Sequence, residues 1–338
     1  MVLSAARMFF LTPLLELYAR ERYGQCTVRV TSERGAAAMD ALWTSLLHRQ
    51  GTEVLAAVEL SAAEVAAIAL HGSQVFGEGQ GGLKELPADA PTPGFVLRGL
   101  PASIRTTNTS PEFSAALAKA TQEQRDWVDR ALAPGPLRFC PYTASSHLAG
   151  VGLEAQGVRG APIAYHISSA QRAPELMADF WRATTQMLKG GEETTSSIIL
   201  SAPAWDRRWE EWRDHIFPLL EDGVIAAGLG RTIGIVCFHP NYEVPSAAHL
   251  AKHRFGHMHS VATLRRWLGE HQPALEDHLS DHSLGEAAAQ MRRSPNAVIN
   301  VLWSRQLEVA EEKRRSSLLY SNNIARTFEA GEATIVRS

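Results

Sequence analysis

The first hundred residues alternate between strand-like and helix-like hydrophobic patterns. Residues 26–31 (CTVRVT) alternate polar and apolar positions, as a half-buried strand does, and residues 36–50 repeat their leucines at helical spacing. The segment TEVLAAVEL then predicts a second strand. A helix follows in SAAEVAAIALHG, where Ser61 and Glu64 have the spacing of a capping box. This order predicts a β-α-β-α unit.

The middle of the chain repeats a similar alternation after a break. Residues 77–94 are Gly-rich, then Pro-rich and without periodicity, which predicts a linker or long loop. Residues 113–132 have helical spacing. Three β-like runs separated by helical stretches follow, APIAYHIS (161–168), TSSIILSA (195–202) and TIGIVCFH (232–239).

This β-α-β-α-β order predicts a mixed α+β fold, with a core sheet covered by helices. It does not distinguish a parallel sheet from a split, ferredoxin-like arrangement. The similar order in residues 26–100 leaves open that the two halves are pseudo-repeats. The final third is predicted to be helical, because Ser294 and Pro295 are typical of an N-cap and a first helical position before NAVINVLWSRQLEVAEEKRR.

The length of 338 residues suggests about two domains. We predict an N-terminal α/β extension over residues 1–100. An α/β core is predicted over residues 113–338, with a His-rich insertion at 243–290.

Charge and cysteine content narrow the class of protein. The chain has 33 Lys and Arg residues against 36 Asp and Glu residues, a formal charge of −3. Because this balance provides no broad basic surface, we expect neither a nucleic-acid nor a membrane partner. Cys26, Cys140 and Cys237 are too few and too far apart for a disulfide framework, which favours a reducing compartment.

The N-terminal segment is predicted to be a docked helix of a soluble, cytoplasmic protein. Its apolar run contains Pro13 and Glu16, so it is interrupted before it is long enough for a secretory signal or a membrane span. Arg7 precedes the first acidic residue, and this leaves a mitochondrial presequence as the alternative.

Cys140 is the first candidate for chemistry. It lies between Phe139 and Pro141, and the fixed φ of the proline places the cysteine on a bend. A histidine such as His147, or a helix N-terminus, would lower the pKa of its thiol and make it a nucleophile. The alternative is a buried, inert thiol, since cysteine is among the most buried residue types.

A second candidate group follows the strand IGIVCF. His239 and Tyr242 stand where this strand ends, which is where α/β proteins gather site residues. We predict His239 as an acid/base group and Tyr242 as a further catalytic residue. The alternative is a structural histidine in a turn fixed by Pro240 and Pro245.

The histidines are concentrated in one segment. Eight of the thirteen fall in the range 239–282. His249, His253 and His257 are four apart, as metal-binding histidines on one helix face would be, but Gly256 interrupts the series and no glutamate completes an H-E-x-x-H pattern. We therefore predict no metal site, and we expect the segment to be exposed; His257 and His259 are the fallback metal ligands.

Arginines near the predicted helix at Ser294 indicate an anion site. Arg292 and Arg293 immediately precede this helix start, and helix N-termini with adjacent arginines bind anions. We select Arg293 and Ser294 as substrate-binding residues, with Arg254 as another cationic candidate. A small anionic molecule is the expected partner. The sequence does not indicate a cofactor, which stays unknown.

These motifs resemble, in their order, a family of conserved domains of unknown function found in bacteria and protists. The family carries W-V, then C-P-F, a threonine-rich strand ending in apolar-proline, F-H-P-x-Y and N-R-S-P-Y-P-x-x-H-x-L-R. The matching text is Trp127-Val128, Cys140-Pro141-Tyr142, ETTSSIILSAP, Phe238-His239-Pro240-Asn241-Tyr242 and Arg293-Ser294-Pro295. The resemblance covers about residues 121–310.

Several positions depart from the family pattern. Tyr142 replaces a Phe, Asn296 and Ala297 replace Tyr-Pro, and Trp303 replaces an Arg. Asn300 stands in the place of the terminal His, so it becomes a candidate substrate-binding residue. The resemblance implies a shared site but no reaction.

Three functions remain open from the sequence. The first is a small-molecule enzyme acting on an anionic substrate, in which Cys140, His239, Tyr242 and Arg293 meet in one site. The second is a non-catalytic module that holds a small anion. The third is a structural or interaction protein that uses the His-rich insertion.

Overall fold

The computed structural model describes residues 2–48, 51–76, 82–98, 110–135, 137–252, 256–312 and 315–330. The chain divides into two compact units. The first comprises residues 1–108, 170–185 and 218–229, and the second comprises residues 109–169, 186–217 and 230–338.

The described residues form a mixture of helices and strands. The helices are α1 Val2–Tyr23, α2 Gly35–His48, α3 Ala62–Phe76, α4 Pro111–Trp127, α5 Ala173–Gly190, α6 Trp209–Glu211, α7 Phe217–Ala226, α8 Ala247–Lys252, α9 Val261–His271, α10 Pro273–Glu276, α11 Asp281–Gln290, α12 Ser304–Glu312 and α13 Arg315–Glu329. The strands are β1 Thr27–Thr31, β2 Thr52–Ala57, β3 Gly82–Glu85, β4 Gly94–Arg98, β5 Thr143–Ser145, β6 Leu148–Ala149, β7 Ala161–Ile167, β8 Ser197–Ser201, β9 Ile233–Phe238 and β10 Val298–Trp303. This mixture confirms the predicted α+β class.

A four-stranded sheet forms the first unit's core. Its order is β1-β2-β4-β3, with β1 parallel to β2 and β4 antiparallel to both of its neighbours. The capping box that opens α3 is present, because Glu64 N–H donates to Ser61 Oγ at 3.2 Å and Ser61 N–H donates to Glu64 Oε2 at 2.7 Å. The first helix, α1, is confirmed and continues through Pro13.

A six-stranded sheet forms the core of the second unit. Its order is β5-β6-β7-β8-β10-β9, with β7 parallel to β8 and β10 antiparallel to both of its neighbours. Asn300 lies in the middle of β10, opposite Ile199 of β8 and Val236 of β9. The polar Asn300 is therefore paired on both sides with an apolar residue.

The two sheets share one topology. In each, two parallel strands are joined by a helix, a second helix leads to an edge strand, and the last strand inserts antiparallel between the second and third. The orders β1-β2-β4-β3 and β7-β8-β10-β9 are thus equivalent. The pseudo-repeat that the sequence left open is present at the level of topology.

Two local predictions are wrong. Part of the predicted linker, residues 82–85, is strand β3, and the remainder of its Gly-rich part lies outside the described residues. The helix predicted after Ser294 is also wrong, because residues 298–303 form strand β10 before α12 begins. Ser294 Oγ donates to the Asn296 carbonyl at 2.6 Å and so closes a turn. Pairing on both sides of the β-branched run VINVLW prevails over the local helix signal.

The His-rich insertion is largely helical. It contains α8 to α11, and His249 and His257 are only partly exposed, so the expected exposed segment is wrong for these two side chains. Among the helices described by the structure, none is long and apolar enough to cross a lipid bilayer.

Candidate functional site

A cavity of about 250 Å³ lies within the second unit, against the face of the six-stranded sheet. Its walls are mainly apolar, with contributions from β9, β10, the segment around Phe139 and α13. The polar or titratable side chains that line it include those of Cys140, Thr143, His259, Arg292, Asn300 and Tyr320. A mainly apolar cavity with a few polar groups is the usual form of a small-molecule site.

Cys140 is held on the cavity wall by backbone contacts. The end of α4 continues as a π turn over residues 128–132, and this wider turn leaves carbonyls available for the returning chain. Phe139 N–H donates to the Ala131 carbonyl at 2.9 Å, and Cys140 N–H donates to the Leu132 carbonyl at 3.2 Å. From α13, Asn323 Nδ2 donates to the Phe139 carbonyl at 2.8 Å. The position of Cys140 is thus fixed from two elements.

The surroundings of the Cys140 thiol have opposing electrostatic effects. Burial raises the pKa of the thiol. The Thr143 hydroxyl, the N–H groups of Tyr142 and Thr143, and the charge of Arg292 act in the opposite direction. Because burial prevails, the resting group is a neutral thiol rather than a thiolate. His147, the candidate activating base, is exposed and is not a lining residue.

Arg292 is the cation of the cavity. Its carbonyl accepts a hydrogen bond from His239 N–H at 3.0 Å, and its guanidinium lies 5.2 Å from the centre of the Phe238 ring. The side chain is half-buried, and among the described residues it has no carboxylate partner. A partly desolvated guanidinium without a counter-ion attracts an anion.

His259 contributes an imidazole to the same cavity. It precedes α9, and its ring packs edge-on against Trp267 at 4.6 Å and Tyr320 at 4.9 Å between centres. Burial, and then the charge of Arg292, lower its pKa to about 4. The ring makes no hydrogen bond within the described part of the chain, so both nitrogens remain available.

Of the predicted substrate-binding residues that the structure describes, Asn300 alone lines the cavity. Its Oδ1 atom is buried and has no hydrogen-bond donor among the described residues. The sheet holds its backbone through pairing on both sides. An unsatisfied amide on the wall of a cavity is available for rearrangement when a ligand enters.

His239, the predicted acid/base group, has a different environment. The residue is 0% exposed, and its Nδ1 accepts from Asn241 N–H at 3.0 Å while its Nε2 lies 3.0 Å from the Trp205 carbonyl. This geometry requires the proton on Nε2. Burial is the main cause that lowers the pKa of His239 to about 4. Both nitrogens are occupied, as in the structural alternative, and His239 does not line the cavity.

Tyr242, Arg293 and Ser294 also lie outside the cavity lining. The Tyr242 hydroxyl accepts from Met258 N–H at 2.8 Å and so fixes the segment that carries His259. Arg293 Nε donates to the Tyr242 carbonyl at 3.2 Å, and its guanidinium forms an ion pair with Glu286 at 3.0 Å. The structure therefore gives these three side chains internal partners, and the helix start that motivated the anion prediction is a turn.

The half-buried carboxylate of Asp206 joins the loops that support this region. Its Oδ1 accepts from Ala297 N–H at 2.7 Å and its Oδ2 accepts from Asn296 Nδ2 at 3.1 Å. The backbone carbonyl of Asp206 accepts a hydrogen bond from Asn241 Nδ2 at 3.4 Å. Burial, the largest effect, raises the pKa of Asp206 to about 6.

His257 and His259, the alternative metal-ligand candidates, lie in different surroundings. The His257 ring packs 5.1 Å from Phe217 and 5.2 Å from His249, whereas His259 contacts Trp267 and Tyr320. Within the described ranges, no three His, Cys, Asp or Glu side chains form a group that would hold a metal. Arg254 and His253 lie outside the described residues.

The sequence did not single out Tyr320, Phe238 or Met258 as site residues. Tyr320 lies on an amphipathic helix, where an aromatic residue is far more often a core residue than a ligand contact. The sequence places Arg292 beside Arg293, but the sequence of two adjacent arginines does not indicate which side chain lines a cavity.

Comparison of the chain with family models, with curated proteins and with solved structures gives no match. The resemblance to the domain family stays a prediction.

Proposed function

We propose that the second unit binds a small molecule that combines an apolar body with an anionic group, the non-catalytic alternative among the three functions left open by the sequence. The apolar body occupies the cavity and the anionic group pairs with Arg292. The observation that carries the proposal is the half-buried Arg292 guanidinium, which lines a mainly apolar cavity and has no carboxylate partner among the described residues.

The size of the cavity suits a ligand of about ten heavy atoms. A cavity of roughly 150 Å³ in a protein core is large enough for benzene, and this one measures about 250 Å³. A phenyl ring with a short acidic side chain therefore fits. Charge-assisted hydrogen bonds to an arginine are about twice as strong as neutral ones, so the acidic group would orient the ligand.

The motifs that resemble the domain family support the same location. Cys140, Phe238 and Asn300 belong to three separated motifs, and all three line the cavity. Residues that are far apart in sequence and meet at one concavity are expected of a shared binding site. We infer an intracellular, reducing location as well, since the three cysteines form no disulfide.

Binding of phenylacetate tests the proposal. Calorimetry should detect saturable binding to the full chain, and the neutral analogue 2-phenylacetamide should bind more weakly. Arg292→Met keeps a long apolar side chain but removes the charge, so we expect its affinity for phenylacetate to fall about 10- to 100-fold, the value of a charged hydrogen bond.

Arg293→Met is the matched control. It removes the neighbouring guanidinium, which pairs with Glu286 and does not line the cavity, and it should change phenylacetate affinity by less than about threefold. Thermal unfolding of both variants verifies that they fold. Equal affinity in Arg292→Met and wild type, or no saturable binding to wild type, would refute the proposal.

A thiol-dependent enzyme is the second candidate, and one observation favours it. The Thr143 hydroxyl and two backbone N–H groups are placed to stabilise a thiolate at Cys140. Cys140→Ser tests it: a thiol enzyme would convert a bound substrate that this variant only binds, whereas a binding module would show no conversion in either protein.

A further inference from the structure

The position of His259 beside Arg292 has a consequence for ligand binding, and this consequence rests on the proposed function. Both side chains line the same cavity, and the charge of Arg292 acts on the imidazole. The imidazole has no hydrogen-bond partner among the described residues. An anion that pairs with Arg292 therefore enters the surroundings of an imidazole that is able to accept a proton.

The groups around His259 come from four segments of the second unit. From α9 the contact is the uncharged Trp267, and from α13 it is the ring of Tyr320. The segment before β10 contributes Arg292, and the turn after α4 contributes the neutral thiol of Cys140 to the same cavity. Within the described residues, Arg292 is the one charge that acts on this imidazole.

The surroundings of His259 disfavour its protonated form. Burial and the repulsion from Arg292 lower its pKa from 6.5 to about 4, so the ring is neutral near pH 7. A carboxylate next to Arg292 reverses the second effect, because it neutralises the guanidinium and attracts an imidazolium. The liganded site then holds two cationic donors around one anion.

We infer that the cavity takes up an anion together with one proton, which is bound by His259. The proton comes from solvent and adds to a lone pair of a ring nitrogen, and no other bond forms or breaks. The ligand class is accordingly a weak organic acid, which enters as its carboxylate and is stabilised as a carboxylate–imidazolium–guanidinium cluster. Linkage requires that such a ligand binds more tightly as the pH falls.

The expected effect follows from the two protonation equilibria. If His259 returns to its ordinary value of 6.5 in the complex, the affinity for phenylacetate rises about tenfold between pH 7.5 and pH 5.5. Carboxyl groups of this kind titrate near 4, so phenylacetate itself remains ionised over this range.

Calorimetry in two buffers with different enthalpies of ionisation measures the proton directly. At pH 5.5 the wild-type chain should take up close to one proton per phenylacetate, and at pH 7.5 it should take up far less. His259→Gln should bind phenylacetate with a pH-independent affinity and no proton uptake. His282→Gln is the control, because His282 is exposed on α11 and does not line the cavity; it should behave as wild type.

The outcomes separate this inference from the function on which it rests. Arg292-dependent binding that is pH-independent and takes up no proton in wild type overturns the proton coupling and leaves the anion site intact. Absence of binding in wild type at both pH values overturns both. Because the two-buffer measurement uses wild-type protein, it does not depend on the folding of any variant.

Discussion

Replacement of His239 distinguishes a structural histidine from a catalytic one. Both ring nitrogens are bonded to the backbone, at 3.0 Å to Asn241 N–H and 3.0 Å to the Trp205 carbonyl, in a site with 0% exposure. In His239→Phe the Asn241 N–H loses its acceptor, whereas the Trp205 carbonyl keeps the hydrogen bond from the Arg208 N–H at 2.8 Å. An unsatisfied buried polar group costs about 1–3 kcal/mol, so we expect the free energy of unfolding at pH 7.5 to fall by about 1–3 kcal/mol.

The same contacts make the contribution of His239 pH-dependent. Protonation of Nδ1 would place an N–H against the Asn241 N–H, and burial further disfavours the cation. The folded pKa of His239 is about 4 against 6.5 in the unfolded chain, so its stabilising contribution is present above pH 6.5 and is lost as the pH falls toward 4. At pH 5.0 this linkage amounts to about 2 kcal/mol.

Urea denaturation at pH 7.5 and pH 5.0, monitored by tryptophan fluorescence, measures both effects. The decrease in unfolding free energy from pH 7.5 to 5.0 should be about 2 kcal/mol smaller in His239→Phe than in wild type. His239→Gln retains a donor toward Trp205 and should lose less stability at pH 7.5. His282→Gln, an exposed control, should match wild type. A His239→Phe variant as stable as wild type, or one with an unchanged pH dependence, would refute the structural assignment.

Two further predictions concern acidic and thiol groups. The pKa of Asp206 is raised to about 6 from 3.8, so ionisation of this carboxyl group destabilises the fold as the pH rises from about 4 to 6. Relative to wild type, Asp206→Asn should therefore gain about 1–2 kcal/mol in unfolding free energy over that range, as measured by urea denaturation. The sign of this pH dependence is opposite to that of His239. Because burial raises the pKa of Cys140, maleimide should modify this thiol more slowly at pH 7 than a solvent-exposed cysteine thiol, and phenylacetate should slow the modification further. Mass spectrometry of wild type and Cys140→Ser locates the adduct. An unchanged rate of modification in saturating phenylacetate would contradict binding in this cavity.

The elements that local signals determine were predictable from the sequence. The capping box at Ser61 and Glu64 forms as its spacing indicates, because both partners lie within one turn. The strand at Val298–Trp303 was not predictable in the same way. Its conformation depends on pairing with β8 and β9, which are distant in sequence, whereas the Ser294-Pro295 signal that favoured a helix is local.

The candidate site was partly predictable for a related reason. Residue type and strand position selected Cys140 and Asn300, and both line the cavity. The choice between Arg292 and Arg293 depends on the direction of each side chain. Glu286 and the Tyr242 carbonyl hold Arg293 away from the cavity lining, while Arg292 packs over Phe238. No sequence pattern indicates which of the two arginines contacts Glu286 and which contacts Phe238.

The histidines show why burial alone does not identify a functional group. Burial lowers the pKa of both His239 and His259 to about 4, so their titration gives no means of separating them. Their contacts do separate them: the nitrogens of His239 are both bonded to backbone groups, whereas those of His259 have no such partner among the described residues. Exchange of a proton with a ligand requires an available nitrogen and space for the ligand. His259 has both, and this is why the proton coupling belongs to the cavity and not to the end of the strand IGIVCF.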